Sequence, residues 1–168
     1  LLLAFIILSL VFWNYLNYKN IRLPYKKINN FFLLLFILFL FIQIVIGAFV
    51  SGMDAGKIYN SWPLMNSTYF PDDSAFINLF SISVFNEPSL VQFIHRNLAY
   101  LILLFYLIIL FKVYQSRNSD YFKVLNLIGV LLILQIILGI YTLLSGAEIL
   151  VASMHQISSI FLLVQGFF

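Results

Sequence analysis

Long apolar runs are the feature that most limits what this chain can fold into. A helix needs roughly 20 apolar residues to cross about 30 Å of hydrocarbon. The chain contains four complete runs of that kind and one cut short at its start. We name them segments A to E: 1–18, 31–52, 89–111, 122–145 and 149–168. The sequence therefore predicts an all-α, polytopic membrane protein.

Composition supports the same class. Apolar residues make up 63% of the 168 residues and charged residues only 9%, whereas a soluble domain carries roughly 25% charged residues. This excludes a water-soluble globule, a disordered segment and a nucleic-acid binder, despite the net charge of +3. The absence of cysteine excludes disulfides and thiolate chemistry. Because the chain starts with Leu1 inside an apolar run, we expect a fragment of a longer protein.

The charged residues predict the orientation of the segments. Lys and Arg favour the cytoplasmic side of a membrane, and the A–B and C–D connections hold seven of the nine. These are Lys19, Arg22, Lys26, Lys27, Lys112, Arg117 and Lys123. Five of the six acidic residues fall on the other side: Asp54, Asp72, Asp73, Glu87 and Glu148. Segments B and D are therefore predicted to run outward, and C and E inward.

The chain is predicted to divide near residue 30. Residues 1–30 are interpreted as the end of a preceding transmembrane helix and a cytoplasmic loop. Residues 31–168 are interpreted as an up-down four-helix transmembrane bundle with an outer loop at 53–88. That loop is too long for a plain turn, and residues 72–74 resemble the start of an apolar helix over 75–85. An interfacial belt and a lid over a cofactor both remain open for this loop.

Segments B and D share an internal repeat. Gln43 is followed four residues later by Gly47, and Gln135 by Gly139, with Ile next to each glutamine. Each copy precedes a segment with a single histidine, so B–C and D–E are predicted to be two copies of one helical hairpin. Their pseudo-two-fold axis should lie along the membrane normal. The glutamines are expected to make interhelical hydrogen bonds, and the glycines to permit close packing.

The two histidines are the main functional candidates, because ionisable residues inside a membrane are costly. His95 and His155 each lie six residues beyond the start of their segment, roughly 9 Å deep at 1.5 Å per residue. In an up-down bundle, segments C and E are diagonal partners. The two imidazoles are then predicted to face each other across the core, where bundles hold cofactors and metals.

A bis-histidine haem is the ligand that this pair favours. Zinc needs three or four protein ligands, whereas haem needs only two axial ones because the porphyrin supplies four nitrogens. Small residues lie one turn along from each histidine, at Ala99, Ser158 and Ser159. Two histidines that only hydrogen-bond between helices, and another metal such as copper, remain alternatives.

Arg96 and Gln92 are the other candidates near His95. Arg96 is the one charge firmly inside a predicted span. It is placed either to snorkel to the outer surface or to pair with a haem propionate in a two-pronged geometry. Gln92 lies three residues before His95 on the same helical face, and is placed to contact the ring or to hydrogen-bond between helices.

Several stretches of the chain resemble the haem A synthase family in matching order. They are residues 47–56 (GAFVSGMDAG), 59–65 (YNSWPLM), 86–88 (NEP), 91–96 (VQFIHR), 135–144 and 152–156 (ASMHQ). The resemblance implies the carboxy-terminal half of an eight-helix enzyme of two similar halves. Some members carry a cysteine pair in their outer loops, so the lack of cysteine favours the type of proteobacteria and mitochondria.

The resemblance implies oxidation of the C8 methyl of haem O to a formyl group, for cytochrome oxidase assembly. This half would bind the prosthetic haem B through His95 and His155 as iron ligands, with Arg96 and Gln92 also at the cofactor. The missing half would hold haem O and the catalytic residues. Implied partners are membrane lipid, haem O synthase and an electron donor, in a bacterial inner membrane rather than a mitochondrial one. A non-enzymatic bis-histidine electron-transfer cytochrome is the alternative.

Overall fold

Five α-helices form the framework of the computed structural model, which describes residues 2–19, 30–116 and 121–166. They are α1 (Leu2–Tyr18), α2 (Asn30–Gly52), α3 (Pro88–Gln115), α4 (Phe122–Leu144) and α5 (Ile149–Gly166). The five predicted segments are therefore confirmed as helices. Segment C is longer than predicted at both ends, because Pro88 is tolerated in the first helical turn and the helix continues to Gln115.

Among the described residues, three helices are long and apolar enough to cross a membrane: Phe31–Gly52 within α2, Pro88–Gln115 and Phe122–Leu144. The other two apolar helices, α1 and α5, have 17 and 18 residues. At 1.5 Å per residue they extend about 26 Å, a little short of the hydrocarbon thickness. The length and composition of the described helices indicate a multi-pass membrane protein.

The helices pack in an order that follows the repeat. Helix α2 packs along α3, and α4 packs along α5, so each predicted hairpin is an intimate pair. Contacts between α3 and α4 and between α2 and α5 join the two pairs, while α1 lies against α2 and α5. An apolar core fills the joint, and its buried members include Phe36, Leu40, Ile102, Tyr106, Ile109, Leu125, Ile128, Leu132 and Leu162.

The joint between α3 and α4 also contains a buried polar contact. The buried Tyr106 hydroxyl donates a hydrogen bond of 3.0 Å to the main-chain carbonyl of Leu125. Gly129, one turn further along α4, makes room for this hydroxyl, since a Cβ there would lie 2.2 Å from the Tyr106 oxygen. A Cβ at position 129 would therefore force either the Tyr106 side chain or the two helices to shift.

The helix predicted over 75–85 is wrong. The outer loop instead forms short 3-10 helices at Ala55–Lys57, Phe76–Phe80 and Ile82–Asn86. Extended backbone at Ser81 separates the last two. The carboxylates expected at the helix start are engaged elsewhere: Asp72 accepts a hydrogen bond from the Tyr59 hydroxyl, and Asp73 accepts one from Ser89. Without these caps, the first turn has no side-chain hydrogen bond.

Some predicted features lie outside the described residues. Arg22, Lys26, Lys27 and Arg117, on which the orientation partly rests, are among them. The division near residue 30 and the sidedness of the helices therefore stay predictions.

Candidate functional site: a two-histidine cavity

A cavity of about 480 Å³ lies between the two helix pairs and is lined by both His95 and His155. Its volume falls within the roughly 300–1,000 Å³ typical of cofactor and ligand pockets. The predicted small residues Ala99 and Ser159 line it as well. The other polar and glycine residues on its wall include Gln43, Gly47, Gln92, Arg96, Gln135, Gly139 and Gln156. The helices therefore bring the two predicted ligands to one shared space.

On α3, the imidazole of His95 packs against α2 at Gly47. A Cβ on Gly47 would be 3.1 Å from the Cε1 atom of His95, so only a glycine leaves this space to the ring. The Gln43 amide donates a hydrogen bond of 3.1 Å to the main-chain carbonyl of His95. The same amide nitrogen lies 3.4 Å from the ring Nε2.

On α5, His155 meets the same pair of residues from α4. A Cβ on Gly139 would also be 3.1 Å from the Cε1 atom of this ring. The Gln135 amide donates a hydrogen bond of 3.2 Å to the carbonyl of His155 and a second, short one to the Ser158 hydroxyl. The interhelical hydrogen bonds predicted for both glutamines are confirmed. Both glycines permit close packing, as predicted, but each packs against an imidazole ring rather than against the backbone of another helix.

The residues around the cavity fit a haem. The Nδ1 atoms of His95 and His155 are buried and make no hydrogen bond within the described part of the chain. Buried ring nitrogens normally have a partner. No group of three or more His, Cys, Asp or Glu comes together among those residues, so the cavity offers a metal two imidazoles. Haem is the metal group that needs only two protein ligands.

Arg96 extends from α3 to the outer loop. Its guanidinium donates hydrogen bonds to the carbonyls of Tyr59 (2.9 Å), Ser61 (3.0 Å) and Leu64 (3.4 Å). Its Nε is buried and lacks a partner among the described residues. The guanidinium is therefore bound to the main chain of the loop, and these contacts do not support the alternative in which Arg96 snorkels to the membrane surface. The pairing with a propionate stays a prediction.

Gln92 is fully committed to the same network. Its amide donates to the Tyr59 carbonyl at 3.2 Å, and its carbonyl oxygen accepts a bond of 3.3 Å from Arg96. Its hydrogen bonds go to the loop and to Arg96 of its own helix rather than to another membrane helix, and a contact with a cofactor ring stays a prediction. Gln92 instead helps Arg96 to hold the start of the outer loop over the cavity.

Residues 54–65, which we name the cavity lid, connect both helix pairs at the outer end. The Asn60 amide donates to the carbonyl of Leu143 at the end of α4, at 2.9 Å. Trp62 donates from its indole nitrogen to the Tyr100 hydroxyl of α3, also at 2.9 Å. Gly56 packs so closely on Ala147 that a Cβ at position 56 would lie 3.3 Å from the alanine methyl. For this part of the loop, the lid alternative fits the contacts.

Residues 76–86, the interface segment, differ from the cavity lid. The large apolar side chains of this segment are mostly exposed: Phe76, Ile77, Phe80 and Ile82. Phe85 packs on Phe49 at the outer end of α2, with ring centroids 5.3 Å apart, so the segment lies beside the end of a membrane-spanning helix. Exposed apolar groups at this level suit the interfacial belt. The contacts are thus compatible with a lid at 54–65 and an interfacial belt at 76–86, and both roles stay predictions.

Tyr59 is a site residue that sequence reasoning missed. It is buried, and its hydroxyl donates to Asp72. Burial and the neighbouring Asp72 and Asp73 carboxylates raise the pKa of Tyr59 to about 12. Its main-chain carbonyl is also the shared acceptor of Gln92 and Arg96. The only signal in the sequence was its place in the stretch 59–65.

The fold and cavity define a class: helical membrane proteins with a pair of histidines facing an internal cavity. The chain matches the family model described as cytochrome oxidase assembly protein (COX15-CtaA) over residues 1–165. It therefore belongs to this family, and the resemblance noted from its motifs is confirmed.

Curated relatives carry a common name. The chain is 48% identical over 161 residues to "Heme A synthase" of Pelagibacter ubique (strain HTCC1062), covering 96% of the chain and 47% of that protein. It is 36% identical to "Heme A synthase" of Wolbachia sp. subsp. Brugia malayi (strain TRS), covering 99% of the chain and 49% of the relative. The chain thus spans about half the length of the curated relatives it matches. No solved structure matches it significantly.

Proposed function

We propose that the parent protein is a haem A synthase, which oxidises the C8 methyl of haem O to a formyl group during cytochrome oxidase assembly. Residues 31–168 would form its haem-B-binding half. The name of the curated relatives supports the activity. The observation that carries the role of this half is the cavity, lined by two histidines that two matching glutamine–glycine pairs hold in the same way.

His95 and His155 would hold the haem as its two protein ligands. When bound, the haem supplies one-electron redox chemistry. The glutamines fix the main chain of each histidine, so the rings are held in place before binding. The cavity lid closes the outer end and limits access of water. Arg96 would direct its buried Nε–H to a propionate, and Gln92 keeps its guanidinium oriented.

The proposed setting is a bacterial inner membrane. Helices α2 to α5 would form an up-down four-helix bundle, and α1 would be the last helix of the preceding half. Haem O would occupy that half, which would also hold the catalytic residues. Haem O synthase as the source of substrate and a separate electron donor are the proposed partners, with membrane lipid around the bundle.

The ligation is tested on the full-length protein by visible absorbance. His95→Ala and His155→Ala should each convert a six-coordinate low-spin haem in this half into a high-spin or haem-poor form. Met154→Ala is the matched control, because Met154 adjoins His155 but is 51% exposed on another face. Spectra that stay unchanged in both histidine variants would refute the assignment.

A non-enzymatic bis-histidine electron-transfer cytochrome is the second candidate, since the same cavity would serve it. An assay that follows conversion of haem O to haem A separates the two. Conversion by the full-length protein, lost in His95→Ala or His155→Ala, supports the synthase. A normal low-spin spectrum without conversion supports the cytochrome.

A further inference from the structure

The two histidines are held by a repeated arrangement that includes more than the ligands themselves. On each pair of helices, a glutamine and a glycine one turn apart face the histidine of the neighbouring helix. The distances agree closely: 3.1 and 3.2 Å for the glutamine bonds to the histidine carbonyls. Both glycines leave 3.1 Å between an added Cβ and the Cε1 atom of the ring.

Each glycine limits the position of the ring. Ordinary contact between carbon atoms is about 3.5–4.0 Å, so a methyl group at either glycine would force the imidazole to move or turn. The ring plane of an axial histidine affects the electronic state of the iron, and neighbouring groups set that plane. The glycines therefore act on the orientation of the ligand, through the space that they leave.

Each glutamine fixes the main chain that carries the ring. Helix carbonyls already accept a bond from within the helix, and the amide adds a second one at the histidine. This bond ties the histidine to the neighbouring helix at the level of its glycine. Rotation or sliding of α3 against α2, or of α5 against α4, would break it.

The second amide hydrogen differs between the two copies. Gln135 donates it to Ser158, which lies three residues after His155. The matching position after His95 is Leu98, which offers no acceptor. The amide nitrogen of Gln43 instead lies 3.4 Å from Nε2 of the His95 ring. Among the described residues, only the first copy therefore brings an amide donor within hydrogen-bond distance of a ring nitrogen.

We propose that Gln43 with Gly47, and Gln135 with Gly139, are positioning residues that set the imidazole planes of His95 and His155, and that the Gln43 contact makes the two ligands unequal. The proposal rests on the proposed haem binding and deepens it. An amide that donates to Nε2 of His95 would compete with an iron bound at that same nitrogen for its lone pair. His155 is then the firmer ligand, and His95 the one that exchanges.

The glycines are tested first, in the full-length protein with haem bound. Gly47→Ala and Gly139→Ala should each shift the low-spin electron paramagnetic resonance signal and speed haem loss to a scavenger. Gly52→Ala is the matched control, since it makes the same change in α2 at a glycine whose added Cβ meets nothing described within 4 Å. A low-spin signal that shifts no more in Gly47→Ala than in Gly52→Ala would overturn the positioning role.

The inequality is tested by carbon monoxide binding to the ferrous protein, which requires one histidine to leave the iron. Gln43→Leu and Gln135→Leu each lose a bond to a histidine carbonyl. Gln135→Leu also loses the bond to Ser158, and only Gln43→Leu removes a contact with a ring nitrogen. Gln43→Leu should therefore slow carbon monoxide binding about threefold to tenfold relative to Gln135→Leu, the worth of one hydrogen bond. Equal rates, or a faster rate in Gln43→Leu, would overturn the inequality.

These outcomes separate the two proposals. If His95→Ala and His155→Ala leave the spectra unchanged, the haem assignment itself fails, and the positioning proposal fails with it. If the histidine variants behave as expected while the glycine variants match Gly52→Ala, haem binding stands and only the positioning role is lost.

Discussion

The two helix pairs make similar contacts to their histidines, but they differ in the connections at their outer ends. In α2–α3 and α4–α5, the glutamine, glycine and histidine meet at closely similar distances. The connections are unlike: residues 53–87 join α2 to α3, whereas only 145–148 join α4 to α5. The part of each hairpin that contains the cavity histidine thus lies on helices, where geometry is easiest to preserve. The loops are free to take separate tasks.

The residues next to the histidines follow the same division. Arg96 follows His95 and holds three carbonyls of the cavity lid. Gln156 follows His155 and also lines the cavity, without a positive charge. The position three residues before the histidine is Gln92 in the first copy and Ala152 in the second. The first pair therefore supplies the charge and the hydrogen bonds of the outer end, and the second supplies the surface on which the lid rests.

The largest expected effect concerns the joint between the two pairs. In Gly129→Ala the new Cβ would lie 2.2 Å from the Tyr106 hydroxyl and 2.9 Å from its Cζ. Overpacking of this kind costs about 3 kcal/mol of unfolding free energy, to be measured by denaturant titration in mixed micelles. Gly52→Ala should be neutral or slightly stabilising, because alanine is the better helix former.

A second substitution tests the cause of that loss. Tyr106→Phe removes the hydroxyl that clashes, so the double variant should recover part of the stability lost in Gly129→Ala. Recovery stays partial because the Cζ atom remains close. If Gly129→Ala unfolds like Gly52→Ala, the two pairs do not meet at Tyr106 as described.

Arg96 gives the next largest effect and separates the outer ends of the two pairs. Arg96→Ala removes charge-assisted bonds to the lid carbonyls and should lower the unfolding free energy by about 2 kcal/mol. If Arg96 also pairs with a propionate, the haem midpoint potential should fall and haem retention should weaken. Arg96→Lys keeps the charge but loses the two-pronged geometry of the guanidinium. Its midpoint potential and haem retention should therefore lie between those of wild type and Arg96→Ala.

The matched position provides the control for Arg96. Gln156→Ala, next to the other histidine, should change both stability and potential less. A redox titration decides the propionate role: an unshifted midpoint potential in Arg96→Ala would leave Arg96 with the lid alone.

The helices and the meeting of the two histidines at one cavity could be predicted from sequence, because each rests on a local pattern. Apolar runs mark the spans, and the Gln–Gly spacing repeats on α2 and α4. The histidines stand out because few polar residues occur in spans at all. These features depend on helical periodicity, which a single sequence carries.

The outer loop could not be predicted in the same way. The carbonyl partners of Arg96 belong to main chain whose path depends on distant contacts, such as those of Asn60 with Leu143 and Gly56 with Ala147. Asp72 is interpreted from the sequence as part of a helix start, because an aspartate can either cap a helix or accept a hydrogen bond from a tyrosine. Only tertiary packing decides between them.

Tyr59 predicts a pH effect confined to the loop of the first pair. Its pKa is raised from 10.0 to about 12, so the folded protein keeps this proton where the unfolded chain loses it. The stabilisation is present below pH 10 and is lost as the pH rises through about 12. The unfolding free energy of wild type should exceed that of Tyr59→Phe by about 1 kcal/mol at neutral pH, and the difference should shrink above pH 10. A difference that does not change with pH would contradict the Tyr59–Asp72 contact.

The smallest effect concerns the short turn of the second pair, where Gly146 and Ala147 both have positive φ, 70° and 60°. The turn ends α4 through bonds from Gly146 to Leu143 and from Ala147 to Thr142, and glycine fits such positions best. Ala147→Gly should relieve backbone strain but lose the methyl contact with Gly56, leaving a gain of about 0.5 kcal/mol in unfolding free energy. Gly146→Ala, at the neighbouring position, should destabilise instead. If Ala147→Gly also destabilises, the methyl that supports the cavity lid outweighs the strain, and the second pair contributes more to closing the cavity than its short connection suggests.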